Sequence, residues 1–375
     1  MHVATFLQDL AGGGAERVAV LLMNGLVARG ERVTLILARR EGPYLDDLDP
    51  AIELVDLGNR RSISSIRPLA RWLRSARPDV LVSHLTHVNV AAALANRLAR
   101  AGIPHVAVEH NQMGQNYALL TNRSVKVAYR LARFVYPGIA RIVSVSQGVE
   151  AAVLAFTRGR AHNHQVIHNP VVTDGLVALS GEAPEHRWLA DGADIPVLLG
   201  CGRLHHQKGF DVLISAVRQV LDDRPVRLVI LGEGPLRPQL EAQLSSLNLG
   251  DHVDLAGFSR NPFAMMRAAD AFILSSRWEG LPTVLIEALA CGANIVATDC
   301  PSGPMEVLEG GKFGRLVPVD DSDALAKAIC AALDAPLDSA SAMARASDFT
   351  LDRAVDNYMA LFDHLQPRRG KPSRG

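Results

Sequence analysis

A chain of 375 residues is too long for one ordinary core and fits two α/β domains of roughly 100–200 residues each. With 48% hydrophobic and 21% charged residues, and Gly and Pro dispersed along its length, the composition excludes a disordered or fibrous protein. The net charge of zero hides a separation: residues 1–172 hold 20 Lys and Arg against 12 Asp and Glu, and residues 173–375 hold 19 against 27.

A basic first half attracts phosphates or an anionic membrane surface, and no nucleic-acid partner is expected. Residues 1–7 run straight into a strand-like segment with no secretory n-region or h-region, so no signal peptide is expected. Even residues 18–28 are interrupted by Asn24 and Gly25, and no spanning helix is expected. The expected chain is cytoplasmic, soluble or peripheral on the inner face of the plasma membrane. Cys201, Cys291, Cys300 and Cys330 form no C-x-x-C pair and no zinc spacing, which points to reduced, buried thiols.

In chain order, residues 3–7, 33–37, 80–83, 105–108 and 142–145 read as short aliphatic strands, with helices over 15–28 and 91–100 among those between them. A segment over 171–194, rich in Gly and poor in periodicity, reads as a linker. The alternation then restarts. Strands are expected over 196–199, 227–231, 253–255, 271–274 and 294–297, with helices over 211–221, 236–247, 284–290 and 323–333. Continuous apolar strands alternating with helices imply parallel sheets covered on both faces, hence two doubly wound Rossmann-like domains facing across a cleft. The division falls between 1–172 and 173–350.

Three stretches carry chemistry. Gly12-Gly13-Gly14-Ala15-Glu16-Arg17 is a glycine-rich turn opening a helix, where backbone can approach an anion closely. A dinucleotide fingerprint is disfavoured there, since Arg17 stands where a third glycine belongs and the second strand ends in Arg39-Arg40 rather than an acidic residue. Gly200-Cys201-Gly202-Arg203 with Gln207-Lys208-Gly209 joins a strand to a helix; Arg203 supplies a planar fork and Lys208 a mobile point charge, a pairing suited to a pyrophosphate without a metal. Glu279-Gly280-Leu281-Pro282-Thr283-Val284 and Glu287 place one carboxylate in a loop and one in a helix, with the Thr283 and Val284 amides turned to the phosphates between them. His84, His87, His162, His164, His205 and His206 offer no credible metal-ligand set.

Together with Gly232-Glu233-Gly234-Pro235, these motifs occur in the order found in the retaining nucleotide-sugar glycosyltransferases of family four, which the chain resembles over nearly its whole length. The resemblance implies the GT-B architecture, with the acceptor on the first domain, the donor on the second, and a final helix over 351–365 crossing back, so that 351–375 packs on the first domain. It implies that Arg203 and Lys208 bind the donor pyrophosphate, Glu287 the ribose hydroxyls and Glu279 the transferred sugar. Gly12 and Gly13 would close the turn beside phosphates and acceptor, Gly202, Gly280, Leu281, Thr283 and Val284 would line the donor, and His110 would face the sugar. Neither a metal nor any other cofactor is expected. Glu109 is left open between a catalytic part, an ion pair with His110 and a simple structural role.

Asp299-Cys300-Pro301-Ser302-Gly303-Pro304, followed by Glu306, is similar to the branch that builds bacterial surface polysaccharides and lipid-linked oligosaccharides. A UDP-sugar donor and a saccharide or polyprenyl-linked acceptor are expected on that resemblance. Residues 119–136, with Arg123, Lys126, Arg130 and Arg133 among apolar residues, would suit an anionic membrane, and Arg368, Arg369, Lys371 and Arg374 would add to that side. An ordinary amphipathic helix packed on the domain is the alternative. Two rival functions remain: a sugar-nucleotide epimerase and a non-catalytic carbohydrate-binding protein, the latter disfavoured by the Arg, Lys and two-Glu set.

Overall fold

Continuous aliphatic runs form the two sheets. In the computed structural model, which describes residues 1–11, 13–59, 61–189 and 195–366, the first unit holds β1 (His2–Leu7), β2 (Arg32–Leu37), β3 (Glu53–Asp56), β4 (Val80–His84), β5 (His105–Glu109), β6 (Arg141–Ser144) and β7 (His164–Val166). They lie in the order β3-β2-β1-β4-β5-β6-β7, all parallel, with Val3 facing Val33 on one side and Val80 on the other. The second unit holds β8 (Val197–Cys201), β9 (Arg227–Leu231), β10 (Val253–Gly257), β11 (Ala271–Leu274), β12 (Ile295–Thr298) and β13 (Arg315–Val317), again parallel, in the order β10-β9-β8-β11-β12-β13. The central strands are buried on both faces, as parallel sheets between helical layers require. β3, β7 and β13 fall outside the expected strands; each is an edge strand, three or four residues long and only partly buried.

Helical spacing supplies the covering layers. Val88, Ala91, Ala92, Ala95 and Ala99 on the helix Thr86–Ala99 fall on one face, and they pack with Leu69, Ala70 and Leu73 of the helix Ile66–Ala76 over Ala4, Phe6 and Leu81. Small residues on that face let the helix lie close to the sheet. In the second unit, Leu213, Ile214, Val217 and Val220 of the helix Phe210–Asp223 share one core with Leu198, Leu228 and Ile230.

The chain divides into Met1–Pro170 with the segment from Leu351, and Val171–Thr350. This boundary falls two residues before the one drawn from sequence, because the Val171 and Val172 amides both donate to Phe349 O at 3.0 Å and draw the segment into the second unit. The helix Leu351–Leu365 packs on Gly14–Ala28: Leu351 and Val355 lie against Gly25, and Arg29 pairs with Asp352 at 2.8 Å and with Asp356. The expected linker is not structureless. Thr173 caps a helix over Asp174–Ser180 by accepting from the Leu176 amide at 3.2 Å, and Asp174 sits in its first turn, a strong start signal. Gly12 lies outside the described residues, as do 190–194 of the linker and the basic tail positions Arg368, Arg369, Lys371 and Arg374.

Candidate functional site

A doubly wound sheet opens a crevice where its strand order reverses, beyond the carboxyl ends of the two strands there. In the second unit those strands are β8 and β11. The loop after β8 carries Gly202, Arg203 and Lys208; the loop after β11 carries Ser275 to Glu279. The sequence motifs therefore converge at the switch point.

Two contacts hold the loops together. Gly209, at φ +61°, lies so close to β11's end that a Cβ there would stand 2.1 Å from Ser275 O, and Ser275 Oγ donates to Lys208 O at 2.8 Å. Arg277 then acts as a clasp. Its fork donates to Asp211 at 2.7 and 3.0 Å, its Nε to Asp320 at 2.6 Å and its Nη1 to His206 O at 2.8 Å, while its own amide donates to Gln207 O at 2.7 Å. Gln207 returns the contact, donating from Nε2 to Trp278 O at 2.8 Å.

Between the clasped loops, Lys208 Nζ donates to Glu279 Oε1 at 2.7 Å, the two side chains being 16% and 8% exposed. Ser276 Oγ donates to the same oxygen at 2.7 Å and Gln207 Nε2 to the other at 3.4 Å. Glu279 sits in the loop as expected, but its buried carboxylate turns inward and meets the ammonium. The neighbouring Cys300 thiol is pushed up to about 12 by burial and by the Glu279 charge, so it is inert at neutral pH. Arg203 stands apart, exposed, its guanidinium making no hydrogen bond among the described residues. Gly202 lies against the Lys208 stem.

The helix Thr283–Ala290 starts beside this pair, with Gly280 and Leu281 buried before it. Pro282 is its N-cap, and the Thr283 and Val284 amides precede the first amide that donates within the helix, that of Leu285 to Pro282 O at 3.0 Å, which is the usual anion-facing position. Gly303, at φ +98°, brings the Asp299 to Pro304 stretch against Pro282, where a Cβ would stand 2.3 Å from Cδ, and Ser302 Oγ donates to Gly280 O at 2.6 Å. Glu287 lies one turn into the helix and is buried.

In the first unit the strand order reverses between β1 and β4. Gly13 caps the helix Gly14–Ala28 just beyond β1, in the extended conformation of an N-cap. Next to this crevice, beyond β4 and β5, lies a buried polar group that sequence reasoning did not assemble. Glu109 accepts from Thr86 Oγ1 and Asn89 Nδ2, each at 2.9 Å, and from the Tyr136 hydroxyl. Burial pushes its carboxyl up to about 7, against those three hydrogen bonds. The ion pair with His110 considered from sequence does not form. His110 instead meets His84, Nε2 to Nδ1 at 2.9 Å, and burial brings it down to about 3. Among the described residues, no three His, Cys, Asp or Glu stand grouped to hold a metal ion.

The helix Arg123–Val135 shows a mixed outer face. Arg123, Val127, Arg130 and Phe134 recur at helical spacing and are exposed, Val127 by 49% and Phe134 by 71%. Arg133, grouped with the other cations from sequence, turns inward, donating to Phe156 O at 3.1 Å with its guanidinium 4.6 Å above the Phe156 ring. No helix among the described residues is long and apolar enough to cross a membrane.

Residues 12–174 match the family described as Glycosyltransferase Family 4, and residues 189–348 the family described as Glycosyl transferases group 1. The lipopolysaccharide core biosynthesis glycosyltransferase LpsD of Rhizobium meliloti is 30% identical over 366 residues, covering 94% of this chain and 95% of its own. The N-acetylgalactosamine-N,N'-diacetylbacillosaminyl-diphospho-undecaprenol 4-alpha-N-acetylgalactosaminyltransferase of Campylobacter jejuni is 39% identical over 137 residues, 36% of this chain. An uncharacterized glycosyltransferase of Methanocaldococcus jannaschii is 29% identical over 247 residues, 64% of this chain. The chain spans only 37% and 60% of the length of these last two relatives. Among solved structures, Anabaena HepE in complex with UDP superposes with a TM-score of 0.80 at 24% identity, over 97% of this chain and 100% of that one.

Proposed function

The chain belongs to the glycosyltransferases, Family 4 in its first half and group 1 in its second, with the GT-B fold, and from that premise we propose that it transfers a sugar from a nucleoside diphosphate donor with retention of anomeric configuration and without a metal ion. The carrying observation is the Lys208–Glu279 pair at the β8/β11 switch point, with Arg203 exposed on the same loop as Lys208 and the first-turn amides of Thr283 and Val284 four and five residues beyond Glu279.

An ammonium has three N–H donors, so Lys208 can keep Glu279 on one and give another to a diphosphate oxygen. Arg203 adds a planar fork for the same group. As the bond from the anomeric carbon to the diphosphate oxygen breaks, these cations stabilise the developing charge; the acceptor oxygen bonds to that carbon from the same face, and its proton passes to the leaving phosphate oxygen. Glu287 takes the ribose hydroxyls, Glu279 orients Lys208 and the transferred sugar, Gly13 borders the turn of the first unit, and His110 meets a sugar hydroxyl.

UDP is the favoured nucleotide, the one bound in HepE. The acceptor is a saccharide or polyprenyl-linked saccharide of a bacterial glycan, a reading supported by the names of LpsD and the Campylobacter enzyme. Arg123, Lys126 and Arg130 with Val127 and Phe134 would seat the first unit peripherally on the anionic cytoplasmic leaflet carrying such an acceptor.

The test is turnover of a panel of UDP-, GDP- and ADP-sugars with and without chelator. Arg203→Ala and Lys208→Ala should each lose about 3–4 kcal/mol of transition-state stabilisation, the scale of a removed charge-stabilising donor. Full activity in either variant, or activity abolished by chelator and restored by magnesium, would sink the proposal.

A further inference from the structure

His84 closes β4 and His110 follows β5, and the two rings stack with centroids 5.2 Å apart and planes 26° apart. His84 is fully buried, His110 8% exposed, and burial lowers the affinity of both for a second proton. Each imidazole therefore carries one N–H at physiological pH. The contact of His84 Nδ1 with His110 Nε2 then has one donor and one acceptor, which leaves two arrangements.

If His110 donates, the His84 proton must sit on Nε2. That atom is buried with no hydrogen-bond partner among the described residues, and buried N–H groups without a partner are rare because they lose water and gain nothing. If His84 donates, its Nε2 carries only a lone pair, no N–H of His84 is orphaned, and the His110 proton moves to Nδ1. We propose that His84 is a positioning residue that fixes His110 in the Nδ1–H tautomer, so that His110 offers a hydrogen-bond donor to a hydroxyl oxygen of the transferred sugar. The ligand in this statement rests on the glycosyl-transfer reading; the tautomer does not.

Nitrogen-15 NMR of the histidine-labelled full chain at neutral pH reads the tautomers directly, and the expected spectrum has Nδ1 protonated on both residues. His84→Leu removes the donor, whereas His84→Asn keeps an N–H near the position of Nδ1. With the leucine variant the single His110 tautomer should be lost and kcat should fall about tenfold, the scale of one hydrogen bond, while affinity for free UDP holds. The asparagine variant should restore the tautomer and most of the rate. A wild-type His110 protonated on Nε2 overturns the proposal, and so does a leucine variant with unchanged tautomer and rate. Should the leucine variant not fold, the wild-type spectrum and the asparagine variant still decide. Should wild type turn over no nucleotide-sugar, glycosyl transfer fails as the function and the spectrum still decides the tautomer.

Discussion

Lys208 and Glu279 should be strongly and unequally coupled. Lys208→Met leaves a carboxylate that is 8% exposed with one good remaining donor, Ser276 Oγ at 2.7 Å, and a distant one, Gln207 Nε2 at 3.4 Å. Breaking a buried pair costs about 3–5 kcal/mol, and the surviving donors put this variant at the low end, about 3. Glu279→Gln leaves an ammonium on a flexible stem that can reach water, for about 1–2 kcal/mol. In the double variant no charge is stranded and the Gln oxygen still accepts from Ser276, so its stability should return to within about 1 kcal/mol of wild type, a coupling of about 3–5 kcal/mol. Turnover should not return, since the diphosphate has lost its ammonium. Trp188 and Trp278 lie in the second unit and Trp72 in the first, so urea titration by fluorescence in a Trp72→Phe background reports the second unit alone. Additive single variants, or a double variant that turns over like wild type, would refute the reasoning.

Arg277→Lys keeps the charge but loses the fork that grips Asp211 and Asp320; it should destabilise the second unit by about 1–2 kcal/mol and lower kcat, and a variant indistinguishable from wild type in both would show that the clasp is dispensable. Burial holds Glu109 at about 7 against an ordinary 4.5, so the native state binds the proton more tightly than the unfolded chain. The resulting stabilisation is full below pH 4.5 and lost as pH rises through 7, about 3 kcal/mol in all; Glu109→Gln should flatten that slope in urea titrations between pH 4.5 and 8, and an unchanged slope counts against it. Replacing Arg123, Lys126 and Arg130 by Gln should release the chain from vesicles rich in anionic lipid at low salt, about 1 kcal/mol per cation, and Phe134→Ser should weaken binding at any salt; wild type that ignores such vesicles removes the membrane reading.

What was legible from sequence divides along physical lines. Central strands such as Val80–His84 and Arg227–Leu231 are buried on both faces and read as unbroken aliphatic runs. The edge strands Glu53–Asp56, His164–Val166 and Arg315–Val317 are short and partly exposed, so no such run marks them. In the loops after β8 and β11, Arg203, Lys208 and Glu279 could be singled out because each sits in a contiguous glycine-bearing motif. Their mutual arrangement was not: Lys208 meets Glu279 across 71 residues, and nothing local announces Arg277 as the clasp between them. The Glu109 group was hidden for the same reason, since Tyr136 reaches it across 27 residues and His84 reaches His110 across 26. His84 ends a strand and could have been flagged on that position alone, but its partner is fixed only by the register of β4 with β5.

The two units carry opposite electrostatics, and the contrast bears on where the transferred proton goes. In the second unit the ionised pair Lys208–Glu279 and the exposed Arg203 offer fixed charge, which suits a diphosphate whose negative charge grows as it departs. In the first unit burial suppresses charge: His110 lies near 3 and His105 near 3, and Glu109 near 7. A histidine with so low a proton affinity is a poor base at neutral pH, and in the tautomer proposed above its free nitrogen already bears a proton. Glu109 has the affinity for the task but not the freedom, because Tyr136, Asn89 and Thr86 occupy its oxygens. Neither group suits the role of base, which agrees with the proposed transfer, in which the departing phosphate oxygen gains basicity as the glycosidic bond breaks and takes the proton. In the retaining transfer proposed above, proton transfer then follows bond cleavage on the same face. A kcat–pH profile with no rising limb near 7 is the expected signature, and a rate that climbs with the ionisation of Glu109, and loses that climb in Glu109→Gln, would return the carboxylate to the role of base.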